Sequence, residues 1–381
     1  MNKNNVSIFF AGDFCSKPST SLISVDENLK SIIKGSDISI VNFEVPLKPE
    51  GVELSKVCYE RFFQNDDAPN FLKSLGFKLF SVANNHLLDW GKEGYLKTIQ
   101  ALNGSTFGAG TYEDAYKIKI QEVDGLKIGF LAVCYAARGG VFDDVYQTNG
   151  MACAYMNDLK VNHIIIEAKK NLDYLFILPH AGIEYTDAPI PELIARYKDY
   201  IDYGADGVIA SHPHCPQGWE VYKDKPIFYS LGNFFFNSKN TPDFVAQRPH
   251  WYEGLCVKLN ILDGKISYDI INTRNIKNRQ IVIDNCIERE EHNNNICELL
   301  KDKDKYDRYL KKMVKEKSIG LNSLFLSFGN LLSIFKFIYN YLFRNTEKGL
   351  NVFAYDKTKD DDERSLYLRF MKKYLKNNSK L

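Results

Sequence analysis

The sequence predicts an α/β fold, a mostly parallel sheet covered on both faces by helices, with a more antiparallel layer added late in the chain. Three observations predict it. Short apolar runs alternate with helical patterns from residue 6 to about residue 210, as crossover connections between parallel strands require. Five of the apolar runs end in polar side chains of ligand type. Asp-Gly pairs at 124–125 and 263–264 sit between apolar runs, the signal of a type I′ hairpin turn.

The elements follow in order. Val6 to Ala11 reads as a strand delivering Gly12-Asp13, and Ile38 to Val41 as a strand ending in Asn42-Phe43-Glu44. Phe71 to Leu75 is helical by pattern. Phe77 to Val82 is a third strand, running into Ala83-Asn84-Asn85-His86. A helix over Lys92–Leu102 opens at Gly91, and a hairpin joins Lys117–Val123 to Leu126–Cys134. Leu159 to Lys169 is a helix, and Tyr174 to Leu178 a strand that ends at Pro179-His180. Pro191 to Tyr203 is the next helix, with prolines suited to its first turn. The apolar run Gly207–Ala210 empties into His212-Pro213-His214. Pro213 disfavours the helical region for His212, so this segment is expected to be extended, with both imidazoles on one side. A second hairpin, Leu255–Leu262 with Lys265–Ile271, closes the series.

Composition sets the broad class. A chain of 381 residues has room for one large domain and an appendage. Its 45% hydrophobic and 25% charged content is that of a globular protein, and a net charge of +1 argues against nucleic acid as a whole-surface partner. The N-terminus has no apolar run long enough for a signal peptide. The eight cysteines are scattered without a Cys-x-x-Cys pair, a reduced distribution rather than a disulfide framework. A cytoplasmic location is the expectation.

The five strand ends carry the chemistry. In a parallel sheet they converge on one edge, bringing together Asp13, Asn42 and Glu44, Asn84 to His86, His180, and His212 with His214. Mixed carboxylate, amide and imidazole donors suit a divalent transition metal, Mn, Zn or Fe. Such an ion compensates buried carboxylates and lowers the pKa of a bound water.

Taken in order, these residues resemble a known family. Gly12-Asp13, Asn42-Phe43-Glu44, Ala83-Asn84-Asn85-His86 with Asp89 and Gly91, and Gly108-Ala109-Gly110 match its anchors. So do His180-Ala181-Gly182-Ile183-Glu184-Tyr185, Gly204-Ala205-Asp206 through His212-Pro213-His214, and Tyr229-Ser230-Leu231-Gly232-Asn233-Phe234. The chain is identified as a member of the poly-γ-glutamate capsule-synthesis (CapA-like) family, a branch of the calcineurin-like metallophosphoesterases, over about residues 8 to 236. The resemblance implies an α/β sandwich of mixed sheets flanked by helices, holding one or two metal ions. It implies Asp13, Glu44, Asn85, His180, His212 and His214 as metal ligands, and His86 as general acid or charge stabiliser.

One departure stands out. The superfamily begins with Asp-x-His, whereas Asp13 is followed by Phe14 and Cys15. Cys15 is either a substitute thiolate ligand or a small buried residue. Asp89 is read as an orienter of a histidine, as a helix cap, or as both. Asn42, Glu184, Asn233 and Arg61 are candidates for substrate binding; Glu184 also reads as a solvated loop residue, and an arginine placed like Arg61 more often pairs with a surface acid.

The domain is expected to span 1–275, followed by a linker over 276–297 and a helical region over 298–381. Within the last, Leu324 to Phe343 is very apolar but carries a polar stripe of Ser327, Asn330, Ser333, Lys336 and Asn340. It is read as a core helix, a dimer contact or a helix lying on a membrane interface, the last peripheral to the inner membrane face. The expected function is a metal-dependent hydrolase acting on an anionic polymer or a phosphorylated precursor in capsule, exopolysaccharide or poly-γ-glutamate biosynthesis. The rival is a non-catalytic accessory protein that binds such a polymer in the same cleft.

Overall fold

The computed structural model describes residues 5–51, 62–135, 150–238 and 241–326. The chain divides into two compact units, residues 1–300 and 301–381. The first is an α/β sandwich of two mixed sheets, the class that the sequence predicts.

The parallel strands are split between the sheets rather than gathered in one, which corrects the single-sheet expectation. The larger sheet runs in the order Ser24–Val25, Gln280–Ile283, Lys265–Ile276, Glu253–Leu262, Asn5–Cys15, Ile38–Phe43, Leu79–Ser81 and Thr106–Phe107, with Asn233–Phe236 also pairing to Asn5–Cys15. The smaller runs Pro216–Tyr222, Lys225–Leu231, Gly207–Ile209, Tyr174–His180, Leu126–Cys134 and Lys119–Val123. The hairpins belong one to each sheet, so neither is a separate antiparallel layer. Both turn as expected, with positive φ at Asp124, Gly125, Asp263 and Gly264.

The sheets meet through aromatic side chains. Phe10 of Asn5–Cys15 packs edge-on against Phe130 and Phe176 of the facing sheet, at 6.2 and 6.0 Å between centroids. Edge-to-face pairs of this kind stabilise a core beyond the area they bury. The crossover helices lie between the parallel strands in sequence and end where chemistry requires. Ala68–Leu75 stops at Gly76 and Gly91–Leu102 at Asn103, both in the left-handed conformation that closes a helix.

The apolar and aromatic segment 229–236 is shared between two strands. Lys225–Leu231 belongs to the smaller sheet and Asn233–Phe236 to the larger, with the chain changing sheets at Gly232 (φ 64°). Gly12 faces this crossing. A Cβ there would lie 1.9 Å from the Gly232 carbonyl oxygen, and the close approach lets the Asp13 amide donate to that oxygen at 2.9 Å.

The stretch 276–297, expected as a linker, carries the strand Gln280–Ile283, paired to Lys265–Ile276, and most of the helix Ile287–Lys301. Its polar residues misled the reading because several are buried partners: Asn293 donates to Asn272 at 2.7 Å, and Arg289 is 2% exposed. In the second unit Lys303–Leu326 is helical. Residues 327–343 of the apolar stretch lie outside the described residues. No helix of the described residues is long and apolar enough to cross a membrane.

Candidate metal centre

Although they start on two sheets, the five strand ends meet. Asp13 and Asn42 lie in register on neighbouring parallel strands, and His180 bridges Ser211 across the other sheet. Asn42 donates through Nδ2 to Asp13 Oδ1 at 2.7 Å, and the same nitrogen lies 3.2 Å from His180 Nδ1. Asn85 Oδ1 is 3.0 Å from His180 Nε2. The His212 amide donates to Asp13 Oδ2 at 3.1 Å.

Glu44 occupies the middle. Its Oε1 is 3.7 Å from His214 Nε2 and 3.8 Å from His180 Nε2. Those separations are too long for hydrogen bonds. They match two ligands on one ion, since bonds of about 2.1 Å to N and O together reach about 4.2 Å. Both Glu44 carboxylate oxygens are buried without a hydrogen-bond partner among the described residues. Burial pushes this carboxyl well above the ordinary glutamate range, and the nearby Asp13, Glu184 and Asp89 push it further. Asp13 is raised too, chiefly by burial, against the lowering effects of His214, Asn42, Ser211 and the His212 amide. A carboxylate without a hydrogen-bond partner among the described residues, beside a second carboxylate and facing two imidazoles, is a donor set that a divalent cation satisfies. His180 stays neutral because burial, then His212, His214 and His86, hold it well below the usual histidine value.

The tautomer of His214 follows from Asn233. The Asn233 amide nitrogen donates to the carbonyls of His214 and Trp251, so its Oδ1, 2.9 Å from His214 Nδ1, is the acceptor. The ring proton therefore sits on Nδ1 and the lone pair on Nε2, towards Glu44. Asp89 Oδ2 likewise lies 2.8 Å from His86 Nδ1. Phe62 packs edge-on against that ring at 5.0 Å.

The backbone around the centre is strained. His212, His214, Tyr185 and Val45 all have positive φ, at 108°, 57°, 60° and 70°. For the β-branched Val45 this is a marked outlier, and such residues collect at functional sites. The His212–His214 segment is thus not extended, as Pro213 had suggested. Both rings still reach the cluster, 5.8 Å apart. Gln64 holds the Val45 turn, donating to the carbonyls of Phe14 and Glu44.

Of the expected site residues, Asp13, Asn42, Glu44, Asn85, His86, Asp89, His180, His212, His214 and Asn233 are all buried in this cluster. Glu184 is half-buried and within ligand distance of His212 and His214. Arg61 lies outside the described residues. Cys15 packs with Val45, Phe236 and Trp251, and burial raises its thiol well above the ordinary range. That is the small-core-residue reading rather than the thiolate. Sequence reasoning missed Tyr135, whose hydroxyl is 2.9 Å from His212 Nε2, and Ser211, 3.1 Å from His180 Nδ1. Tyr135 was findable. Its strand pairs in parallel with Tyr174–His180, so its end falls on the same edge.

The profile of the family described as "Bacterial capsule synthesis protein PGA_cap" matches residues 8–238. The "Capsule biosynthesis protein CapA" of Bacillus anthracis is 32% identical over 227 residues, 56% of this chain and 54% of that one. The "PGA biosynthesis protein CapA" of Bacillus subtilis is 32% identical over 221 residues, 56% of this chain and 57% of that one. The chain thus spans a little over half the length of these curated relatives. A crystal structure of a phosphatase from Mycoplasma pneumoniae aligns over 71% of this chain and 94% of that one, at 14% identity and a TM-score of 0.43, a likeness too distant to bear on function.

Proposed function

The chain belongs to the bacterial capsule synthesis protein PGA_cap family, and from that premise we propose that it is a metal-dependent hydrolase acting on an anionic cell-envelope polymer or its phosphorylated precursor. The observation that carries this reading is the Glu44 carboxylate, buried with both oxygens unpartnered among the described residues and facing His180 and His214. Asp13, Glu44, Asn85, His180, His212 and His214 would hold one or two ions of Mn, Zn or Fe. When bound, such an ion supplies a Lewis acid and a water of lowered pKa.

The chain's own groups supply the rest. Asn233 fixes His214 with its Nε2 lone pair towards Glu44, and the Asp13 carboxylate is held by Asn42 and the His212 amide. His86, oriented through Nδ1 by Asp89, is placed to give a proton from Nε2 to the departing oxygen. Phe62, Phe236 and Trp251 around His86 and His214 restrict water on that side. A polymer or precursor as substrate draws on what relatives are named for, capsule and PGA biosynthesis.

The test is the metal content of purified protein beside His212→Ala and Asp13→Ala. One or two equivalents of transition metal, lost in the variants, support the reading and direct a screen of phosphoesters. Native protein that takes up no metal even from added Mn or Zn overturns it. A second reading, a non-catalytic polymer-binding accessory protein, is favoured by one observation: the position of the expected first-motif histidine is Cys15, packed in the core. His86→Ala separates the two. It lowers turnover by about 10²–10⁴-fold in a hydrolase and leaves a binding protein active.

A further inference from the structure

A second group of metal-type side chains lies outside the strand-end cluster. Asp187 follows the His180 strand, His250 precedes the strand Glu253–Leu262, and His292 stands on the helix Ile287–Lys301. Each offers a ligand atom, and the three atoms lie within 4.8 Å of one another. His250 Nε2 is 3.9 Å from Asp187 Oδ1. The His250 and His292 rings lie face to face, 4.0 Å apart and 17° from parallel.

Two features go beyond proximity. Glu253 Oε2 accepts a hydrogen bond from His250 Nδ1 at 2.9 Å, which turns Nε2 towards Asp187. This is the carboxylate–histidine pairing that orients a ligand imidazole. Glu253 is itself anchored by the buried Arg289 at 2.5 Å and by Arg274 at 3.6 Å. Secondly, Nε2 of His292 is buried and has no hydrogen-bond partner among the described residues. A buried unpaired nitrogen is unfavourable, and a metal bond would satisfy it.

We propose that Asp187, His250 and His292 form a second binding site for a divalent transition ion, separate from the strand-end cluster. One carboxylate and two imidazoles suit a borderline ion such as zinc or cobalt(II) better than calcium or magnesium. The Arg289 charge is met by Glu253, so Asp187 is the anion that offsets the ion. Ligation by both Nε2 atoms tilts the rings out of their parallel stack. The site has a structural consequence. Trp251, next to His250, packs 4.9 Å from the His214 ring and accepts from Asn233 at 2.9 Å. An ion tying the His250 loop to the helix Ile287–Lys301 holds that wall in place.

The experiment uses the full chain with the strand-end cluster disabled by Asp13→Ala and His214→Ala, titrated with zinc and with cobalt(II). A folded variant, checked by circular dichroism, is expected to retain about one equivalent with the intense visible cobalt absorption of a low-coordinate site. Adding His292→Ala or Asp187→Asn should weaken uptake at least tenfold, and Glu253→Gln by about 10–100-fold through loss of ring orientation. The inference is overturned if the folded double variant takes up neither ion, or if His292→Ala and Asp187→Asn leave its affinity unchanged. An ion that survives loss of Asp13 and His214 but not of His292 upholds this site alone. The reverse pattern upholds the strand-end site alone.

Discussion

The Asp89 carboxylate lies 2.8 Å from His86 Nδ1, with both side chains almost fully buried. A buried carboxylate on one ring nitrogen keeps the proton there and aligns the other for work, the logic of an oriented catalytic imidazole. Asp89→Asn, which keeps the shape but not the charge, is expected to cut kcat on a chromogenic phosphodiester by about 10²-fold or more. His86→Ala should cost at least as much, and the double variant little more, because the two act as a unit. Metal content should stay at the native level in all three. A double variant with multiplicative losses would show that Asp89 acts elsewhere.

Glu44 links metal and pH. A folded-state carboxyl held above its unfolded value stabilises the fold below that value and loses the contribution as pH rises through the folded one. The metal-free protein is therefore expected to lose stability from Glu44 as pH climbs above 4.5, the ordinary glutamate value. His180 works the other way, since its depressed value favours the fold above 6.5, the ordinary histidine value. Comparison with Glu44→Gln isolates the carboxylate. The metal-free variant should be more stable than metal-free native protein at pH 8, by about 1–3 kcal/mol, through removal of an uncompensated buried charge. With His250 and His292 replaced by alanine in both proteins, Glu44→Gln should also lose the stabilisation that added Mn or Zn gives the chain that keeps Glu44. Denaturant unfolding at several pH values with chelator and with metal reads both effects. Equal metal response in native and variant protein would place the ion away from Glu44.

How much of this was legible beforehand depends on the kind of constraint. Asp13, Glu44, His86, His180 and His214 were readable because each follows an apolar run, and parallel strands present their ends on one edge. That logic survives the division of the strands between two sheets, since those edges meet. Tyr135 is hidden in the sequence because its strand reads as half of a hairpin. It is that, and a parallel neighbour of the His180 strand as well. The change of sheet at Gly232 was hidden because Tyr229 to Phe236 is uniformly apolar and aromatic apart from Ser230, Gly232 and Asn233, and periodicity cannot show that a run crosses between layers. Arg289 and Asn293 fall in the expected linker because a buried polar side chain is recognisable only through its partner, here Glu253 and Asn272.

Cys15 gives a prediction that separates two roles for one residue. Packed among Val45, Phe236 and Trp251 with its thiol raised by burial, it should remain unmodified by thiol reagents in the folded protein. Cys15→Ala should lower stability by about 1 kcal/mol, the cost of a small cavity, and leave metal stoichiometry unchanged. Loss of an ion in a folded Cys15→Ala protein would restore the thiolate reading.

Asn233 sets the lone pair of His214 from outside the ligand set. Its Oδ1 takes the Nδ1 proton at 2.9 Å while its amide nitrogen is committed to two carbonyls, so the side chain cannot reverse without losing both donations. Asn233→Ala frees the ring to turn or change tautomer, and ion affinity is expected to fall by about 10–100-fold. Asn233→Asp keeps an acceptor for Nδ1 and should recover part of that loss, although it gives up the two amide donations. Isothermal titration with manganese or zinc, with His250 and His292 both replaced by alanine so that only one site is measured, gives the affinities directly. A merely structural Asn233 would show equal losses for the two substitutions, and partial rescue by aspartate is the signature of an oriented imidazole.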